Sequence, residues 1–243
     1  MARFEPLVLC YHAVSDEWEH ALAMPPAALE RQLRAVALRR YRGATAEQAL
    51  RGRGRLVHVT FDDAYVSVQR ALPALERLRF PATVFACPGQ TGQPLRIAEL
   101  AGEPEHELST LDWDGLRSLA ERGVEIGSHT VSHAHLTRLA DAELDRELAE
   151  SRERLEAELS RPCRYLAYPY GEQDERVRAA ARRAGYEAAF ALRAPEVDAD
   201  PFAVPRVDLY RKDGAVRAQL KTARPVRRLL FRRPGGARTR SRR

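Results

Sequence analysis

What the chain lacks narrows it first. Cysteine occurs three times in 243 residues, as Cys10, Cys87 and Cys163, with no CxxC pair among them. An odd, dispersed set makes neither a disulfide framework nor a cysteine-built zinc or redox site. The three read as small buried apolar residues suited to a reducing compartment. No apolar run approaches the ~20 residues of a membrane-spanning helix. The opening "MARFEPLVLCYH" has one Arg, and its apolar stretch stops at Tyr11 and His12, too soon for a signal peptide. A cytoplasmic location is therefore the expectation. Lysine occurs only at Lys212 and Lys221, so nearly all the basic charge is Arg. That charge is unevenly placed. Residues 224–243 carry nine Arg and no acid, so the net +6 of the whole becomes −3 for the remainder. The tail reads as a solvated, flexible end. Its sharper reading is peripheral contact with an anionic membrane, with Leu229, Leu230 and Phe231 as the apolar element. No aromatic stacking pattern accompanies the Arg residues, which argues against nucleic acid.

What is present is an alternation of short apolar runs and longer amphipathic stretches. Strands are expected at 7–12, 56–61, 82–87, 124–129, 164–168, 187–192 and 202–210, and helices at 26–40, 66–79, 112–122, 141–159 and 174–184. Residues 88–110, rich in Gly, Pro and Glu, read as a long loop of the kind that is often functional. There is no internal repeat and no linker before the tail. The expected organisation is one α/β domain over 1–222 and a basic tail over 223–243. Strand–helix alternation at this length implies a parallel sheet or barrel, whose site lies beyond the strand C-termini.

The reactive residues gather at those strand ends. His12 closes the first strand and Asp62–Asp63 the second. Ser128, His129 and His133 follow "VEIG", and Pro169, Tyr170 and Gly171 follow "YLAY". In "HTVSH" the two histidines stand four apart, a spacing that on a helix puts them on one face about a turn apart. Two histidines and one carboxylate leave coordination positions open, the pattern of a catalytic rather than a structural metal site.

Taken together, "TFDD" (60–63), "SHTVSH" (128–133) and "YPYG" (168–171) resemble the motifs of the polysaccharide deacetylases of the NodB-homology group, carbohydrate esterase family 4. The likeness runs from about residue 6 to 220. It implies a distorted (β/α) barrel of about seven parallel strands and removal of acetyl groups from N-acetylated sugars or glycans. It implies Asp62 as general base, with Asp63, His129 and His133 as ligands of a divalent metal. That metal is usually Zn2+, with Co2+, Ni2+ or Fe2+ able to serve. The Tyr170 backbone N–H is implied as an oxyanion donor. Two departures matter. Most members carry their general acid as a histidine near the C-terminus, and this chain has none after His135. His12, in "LCYHAVS", matches instead the N-terminal "YH" motif of a circularly rearranged branch, typified by poly-N-acetylglucosamine deacetylases, and takes the acid role. Many members also have an Arg two residues before the Pro of the third motif, where Ala167 stands here, and Arg206 in "VPRVD" is the candidate replacement. Ala64 replaces a frequent Gly. His135 is expected at most to line the site. His20, His58 and His106 have no supporting context, and Trp113 is expected in the core or the cleft wall.

Two other classes use the same residues. A 2-His-1-carboxylate iron oxygenase shares the ligand set, though its usual host is β-sandwich-like. A non-catalytic carbohydrate-binding relic shares the fold, though retention of all the reactive positions argues against decay.

Overall fold

The computed structural model describes residues 6–52, 54–192, 200–223 and 226. The basic tail falls almost wholly outside them. Strands in chain order are β1 (Leu7–Tyr11), β2 (Arg42–Gly43), β3 (Leu56–Phe61), β4 (Ala82–Ala86), β5 (Glu125–Ser128), β6 (Tyr165–Ala167), β7 (Ala188–Leu192) and β8 (Val204–Asp208). Helices are α1 (Pro26–Leu38), α2 (Ala46–Arg51), α3 (Leu72–Leu78), α4 (Glu105–Leu108), α5 (Trp113–Glu121), α6 (Asp141–Leu159), α7 (Glu175–Arg183) and α8 (Ala215–Lys221). All described pairings between these strands are parallel. β1 pairs with both β8 and β3, so seven strands close into a barrel in the order β1-β3-β4-β5-β6-β7-β8, and β2 adds to β3 outside the ring. This is the (β/α) barrel the sequence led us to expect.

Closure sorts the side chains by parity, because successive residues on a strand point to opposite faces. Leu7, Leu9 and Tyr11 of β1, and Val57, Val59 and Phe61 of β3, join the large outer core against the helices. Val8, Phe85, Tyr165, Ala167, Ala188, Phe190 and Val204 form a separate inner cluster. On β3 the alternate residues His58 and Thr60 are polar and buried inside. The strand "HVTF" therefore carries an apolar outer row and a polar inner row that leads to Asp62.

Local chemistry sets the helix ends. The Asp112 side chain accepts from Gly115 N–H at 2.8 Å, and Asp174 from Val177 N–H at 2.8 Å, capping α5 and α7. Thr45 and Gln48 form a reciprocal capping box on α2, a helix too short for its periodicity to show. The expected helix over 66–79 is in fact a 3₁₀ stretch, Val66–Ala71, followed by α3. Pro73 has no N–H to give to the carbonyl four residues back, so the α-ladder restarts there. The long loop after β4 holds α4 and a 3₁₀ turn at Ala98–Leu100. Its Leu95, Leu100 and Leu108 pack on Trp18 and Tyr65 beside the barrel mouth. All three cysteines are free and buried, as their scarcity suggested. No helix among the described residues is long and apolar enough to cross a membrane.

His58 ties the inner row to the barrel wall. Its ring nitrogens lie 2.9 Å from the Ala44 carbonyl and 2.9 Å from Thr83 Oγ1. Burial pushes its pKa from 6.5 down to about 4, although the Ala44 contact opposes the shift. Below pH 6.5 the unfolded chain binds a proton that the fold rejects, so stability is lost as pH falls from about 6.5 to about 4. The loss from this one group is roughly 3 kcal/mol. His58→Gln, which keeps a donor for Ala44, should flatten the pH dependence of the unfolding free energy in that window by this amount. Denaturant titrations of the two proteins at pH 4 and pH 7 give the comparison, and parallel curves would contradict it.

Candidate active site

The parity that builds the core also builds the site. Toward the C-terminal ends of the strands, the inner row supplies Cys10 from β1 and His12 just after it, Asp62 after β3, Cys87 after β4, His129 after β5 and Arg206 from β8. Arg206 is 1% exposed and its guanidinium grips Asp62 with two bonds, Nη1–Oδ1 at 2.6 Å and Nη2–Oδ2 at 2.8 Å. A third bond joins Nη1 to Thr60 Oγ1 at 3.1 Å. Burial alone would raise the Asp62 pKa. The Arg206 charge, then His129, the Arg206 hydrogen bonds and His12 outweigh it, and hold the carboxyl well below the usual range. Oδ2 of Asp62 is the shared vertex: Cys10 Sγ lies 3.5 Å from it, His12 Nε2 4.0 Å and His129 Nε2 4.0 Å.

Asp63 should point away from Asp62 if the strand continued, but the strand ends. Asp63 and Ala64 adopt φ of 70° and 51°, two consecutive left-handed residues. Each costs about 1–2 kcal/mol in a residue with a Cβ. The turn carries the Asp63 carboxylate round to the histidines, with Oδ1 3.6 Å from His129 Nε2 and 3.3 Å from His133 Nε2. The HxxxH pair does not lie on a helix. Thr130 and His133 have φ of 67° and 65°, and these left-handed turns bring His133 back beside His129, with ring centroids 4.8 Å apart.

Asp63, His129 and His133 are all buried, and their candidate donor atoms lie within 4.8 Å of one another. The set fits a divalent cation on three grounds. His129 Nδ1 lies 2.8 Å from the Ala167 carbonyl, which can only accept, so Nδ1 carries the hydrogen and Nε2 offers its lone pair to the site. Burial pushes the His129 pKa down to about 4, leaving the neutral form that ligation needs. Asp63 Oδ1 is buried without a hydrogen-bond partner, a costly state that a cation relieves. Asp63 is held below, and His133 above, their ordinary pKa values: burial works against both shifts and their mutual contact overrides it. A cation competes with that proton. Two other groupings of potential ligands fit less well. In Cys10–His12–Asp62 both carboxylate oxygens are engaged by Arg206, and in Glu17–His106–Glu107 two members are exposed and Glu107 accepts from Ser15 at 2.8 Å.

Tyr170 has φ of 60°, and Gly171 after it has φ of 68° with no room for a Cβ, which would meet Leu192 Cβ at 2.4 Å. This turn sets the Tyr170 ring edge-on against His133, centroids 4.7 Å apart, with its hydroxyl 3.1 Å from Glu99. His135 stacks flat on Tyr170 at 3.7 Å, flanked by Glu172 at 3.2 Å and Glu99 at 3.6 Å. The structure thus gathers Asp62, Asp63, His12, His129, His133, Tyr170 and Arg206 at one end of the barrel. Trp113 lies elsewhere, on α5 against the outer core with Arg154 over its ring. The sequence marks Cys10 only as a buried apolar residue and does not single out Glu99 or Glu172, while His135, expected at most to line the site, stacks there on Tyr170. Cys10 could have been found by parity, two residues before His12. Glu99 sits within the long loop, where no periodicity marks it.

A profile described as polysaccharide deacetylase matches residues 50–189. YxkH of Bacillus subtilis (strain 168), whose name places it among polysaccharide deacetylases, is 25% identical over 188 residues, 74% of this chain and 62% of YxkH. The chain thus spans less than two thirds of that relative's length. Among solved structures, IcaB from Ammonifex degensii superposes with a TM-score of 0.74 at 24% identity, over 90% of this chain and 97% of that one. The Streptococcus pyogenes deacetylase PplD, in complex with acetate, gives 0.75 at 18%, over 91% and 100%. BC0361 from Bacillus cereus, titled a polysaccharide deacetylase, gives 0.75 at 21%, over 91% and 70%. These likenesses show the shared barrel.

The buried ion pair has a consequence independent of any reaction. Arg206→Gln leaves the Asp62 charge uncompensated in a closed barrel, and should cost about 3–5 kcal/mol of unfolding free energy. Adding Asp62→Asn to that variant should restore part of the loss. Urea titrations of the three proteins decide it: a single variant as stable as the parent would show that the pair does not hold the barrel end together.

Proposed function

The chain belongs to the polysaccharide deacetylase family, and from that premise we propose that it is a metal-dependent hydrolase that removes acetyl groups from N-acetylated sugars or glycans and releases acetate. The observation that carries this reading is the division between two adjacent carboxylates: Asp62 is bound by a guanidinium, while Asp63 faces two imidazoles. One serves as base and the other as ligand.

Asp63, His129 and His133 are the residues that would hold the metal, with Zn2+ the leading candidate and Co2+, Ni2+ or Fe2+ the alternatives. When bound, such an ion polarises the amide carbonyl and acidifies a water. Everything else falls to the chain's own side chains. Asp62 takes the proton of the attacking water. Arg206 keeps Asp62 ionised at every working pH but also makes it a weak base, so the water it deprotonates must already be acidic. Two bonds from Arg206 fix the carboxylate's rotation, which orients Oδ2 toward the reacting centre. The backbone N–H of Tyr170, in the turn at 168–171, is the proposed donor to the oxyanion of the tetrahedral species. The amine must leave protonated, and His12, with Nε2 4.0 Å from Asp62 Oδ2, is the donor at hand. Arg206 does the charge work for which Ala167 has no side chain. A 2-His-1-carboxylate oxygenase would share the ligand set, but neither the parallel barrel nor the family match favours it. A binding relic would not need all the reactive positions, which this chain retains. The Arg-rich tail lies almost wholly outside the described residues, and anionic membrane contact rests on its sequence alone.

An acetate-release assay across N-acetylated mono- and oligosaccharides tests the reading. Release is expected, abolished by a chelator and restored by Zn2+. His12→Ala should lower kcat about 10²–10⁴-fold with metal content unchanged. No acetate from any N-acetylated sugar in the metal-loaded protein, or full activity after chelation, would overturn the function. An unchanged kcat would remove His12 from the acid role.

A further inference from the structure

The segment between the two histidines is held from behind. Glu147 lies on α6, outside the barrel, and is 9% exposed. Among the described residues no Lys, Arg or His lies within ion-pair distance of it. A buried carboxylate without a cation needs strong donors, and both come from one residue: Ser132 N–H to Oε2 at 3.0 Å and Ser132 Oγ–H to Oε1 at 2.7 Å. Ser132 immediately precedes His133. Resting on the metal-dependent reading above, we propose that Glu147 is a positioning residue that holds the 129–133 segment in its ligating shape.

The argument is one of geometry. Thr130 and His133 are left-handed, so this segment does not keep its shape by backbone preference. It keeps it by outside bonds. One turn along the same face of α6, Ser151 Oγ meets Ser128 Oγ at 2.6 Å, and Ser128 Oγ in turn accepts from Thr130 N–H at 3.1 Å. Thr130 Oγ1 accepts from His133 N–H at 3.1 Å. From the opposite side Gly89 N–H reaches the Val131 carbonyl at 2.9 Å and Gln90 Nε2 reaches the Ser132 carbonyl at 3.0 Å. Glu147 supplies the anchor at Ser132, and that anchor is bidentate. Remove it and the residue next to His133 loses the two bonds to α6, while His129 remains fixed through Ala167. The distance between the two imidazoles then becomes variable, and a metal site with a variable donor spacing binds weakly.

The test is zinc affinity of the apo protein, read by competition with a chromophoric chelator near neutral pH. Glu147→Leu removes both acceptors and should weaken zinc roughly 10–100-fold, the range for residues that orient ligands. Glu147→Gln, which can still accept the Ser132 N–H and give a hydrogen to Ser132 Oγ, should recover most of that affinity. A role confined to helix packing would predict the reverse, since Leu suits a buried site better than Gln. Ser132→Ala should weaken zinc by a smaller factor, with no further loss when combined with Glu147→Leu. A loss below tenfold in Glu147→Leu overturns the proposal, as do losses that multiply in the double variant. Should Glu147→Leu not fold, an unchanged affinity in Ser132→Ala overturns it. Asp63→Asn in the same titration separates the two levels. If it keeps the parent affinity, the metal site itself is misassigned; if it loses zinc while Glu147→Leu keeps it, only the role of Glu147 fails.

Discussion

The constraint on which the rest depends is a full pair of opposite charges inside a closed barrel. Arg206 and Asp62 are both nearly inaccessible to water, and each is satisfied chiefly by the other. Separately, either group would be far too costly to bury; together, with Thr60 as a further acceptor for the guanidinium, they can sit at the mouth of the lumen. That placement decides what its neighbour can do. With Asp62 committed to Arg206, the adjacent carboxylate is left for the histidines, and the left-handed pair Asp63–Ala64 delivers it to them. The adjacency of two aspartates, a repulsion in isolation, becomes a partition between two kinds of positive partner.

A second layer of order comes from outside the ring. The His129–His133 segment is strained at two residues and owes its form to α6, to the loop after β4 and to the Ala167 carbonyl of β6. The barrel thus fixes Asp62 and Arg206 through strand ends, while helices and loops fix His129 and His133. The two halves of the site are held by different parts of the fold, which is why a change on α6 can be expected to reach one half without the other.

Much of this was legible in the sequence, for a physical reason. Barrel strands alternate between outer core and lumen, so "HVTFDD" shows its polar inner row directly, and the long amphipathic run at 141–159 matches the bounds of α6. Arg206 came into view only through the family resemblance, whose Arg position holds Ala167 here, and the structure sets its guanidinium on Asp62. What failed were inferences that assumed regular backbone. HxxxH suggested one face of a helix, whereas left-handed turns at Thr130 and His133 bring the rings together. The His135 stack on Tyr170 joins residues 35 apart in sequence, a contact that no local pattern encodes. The anchoring role of Glu147 was invisible for the same reason. On α6 it is one acid among many, and only the packing of that helix behind the histidines distinguishes it.

The central claim is the unequal work of two neighbouring carboxylates, and the most direct measurement is zinc stoichiometry set beside turnover in two variants. Asp62→Asn should retain one zinc per chain and lose acetate release, because its side chain is held by Arg206 and, in the proposed reaction, takes the water's proton. Asp63→Asn should lose the zinc first and activity only as a consequence, with part of the turnover returning at high zinc. If the two variants behave alike, or if Asp62→Asn keeps its activity, the division of labour between Asp62 and Asp63 is wrong.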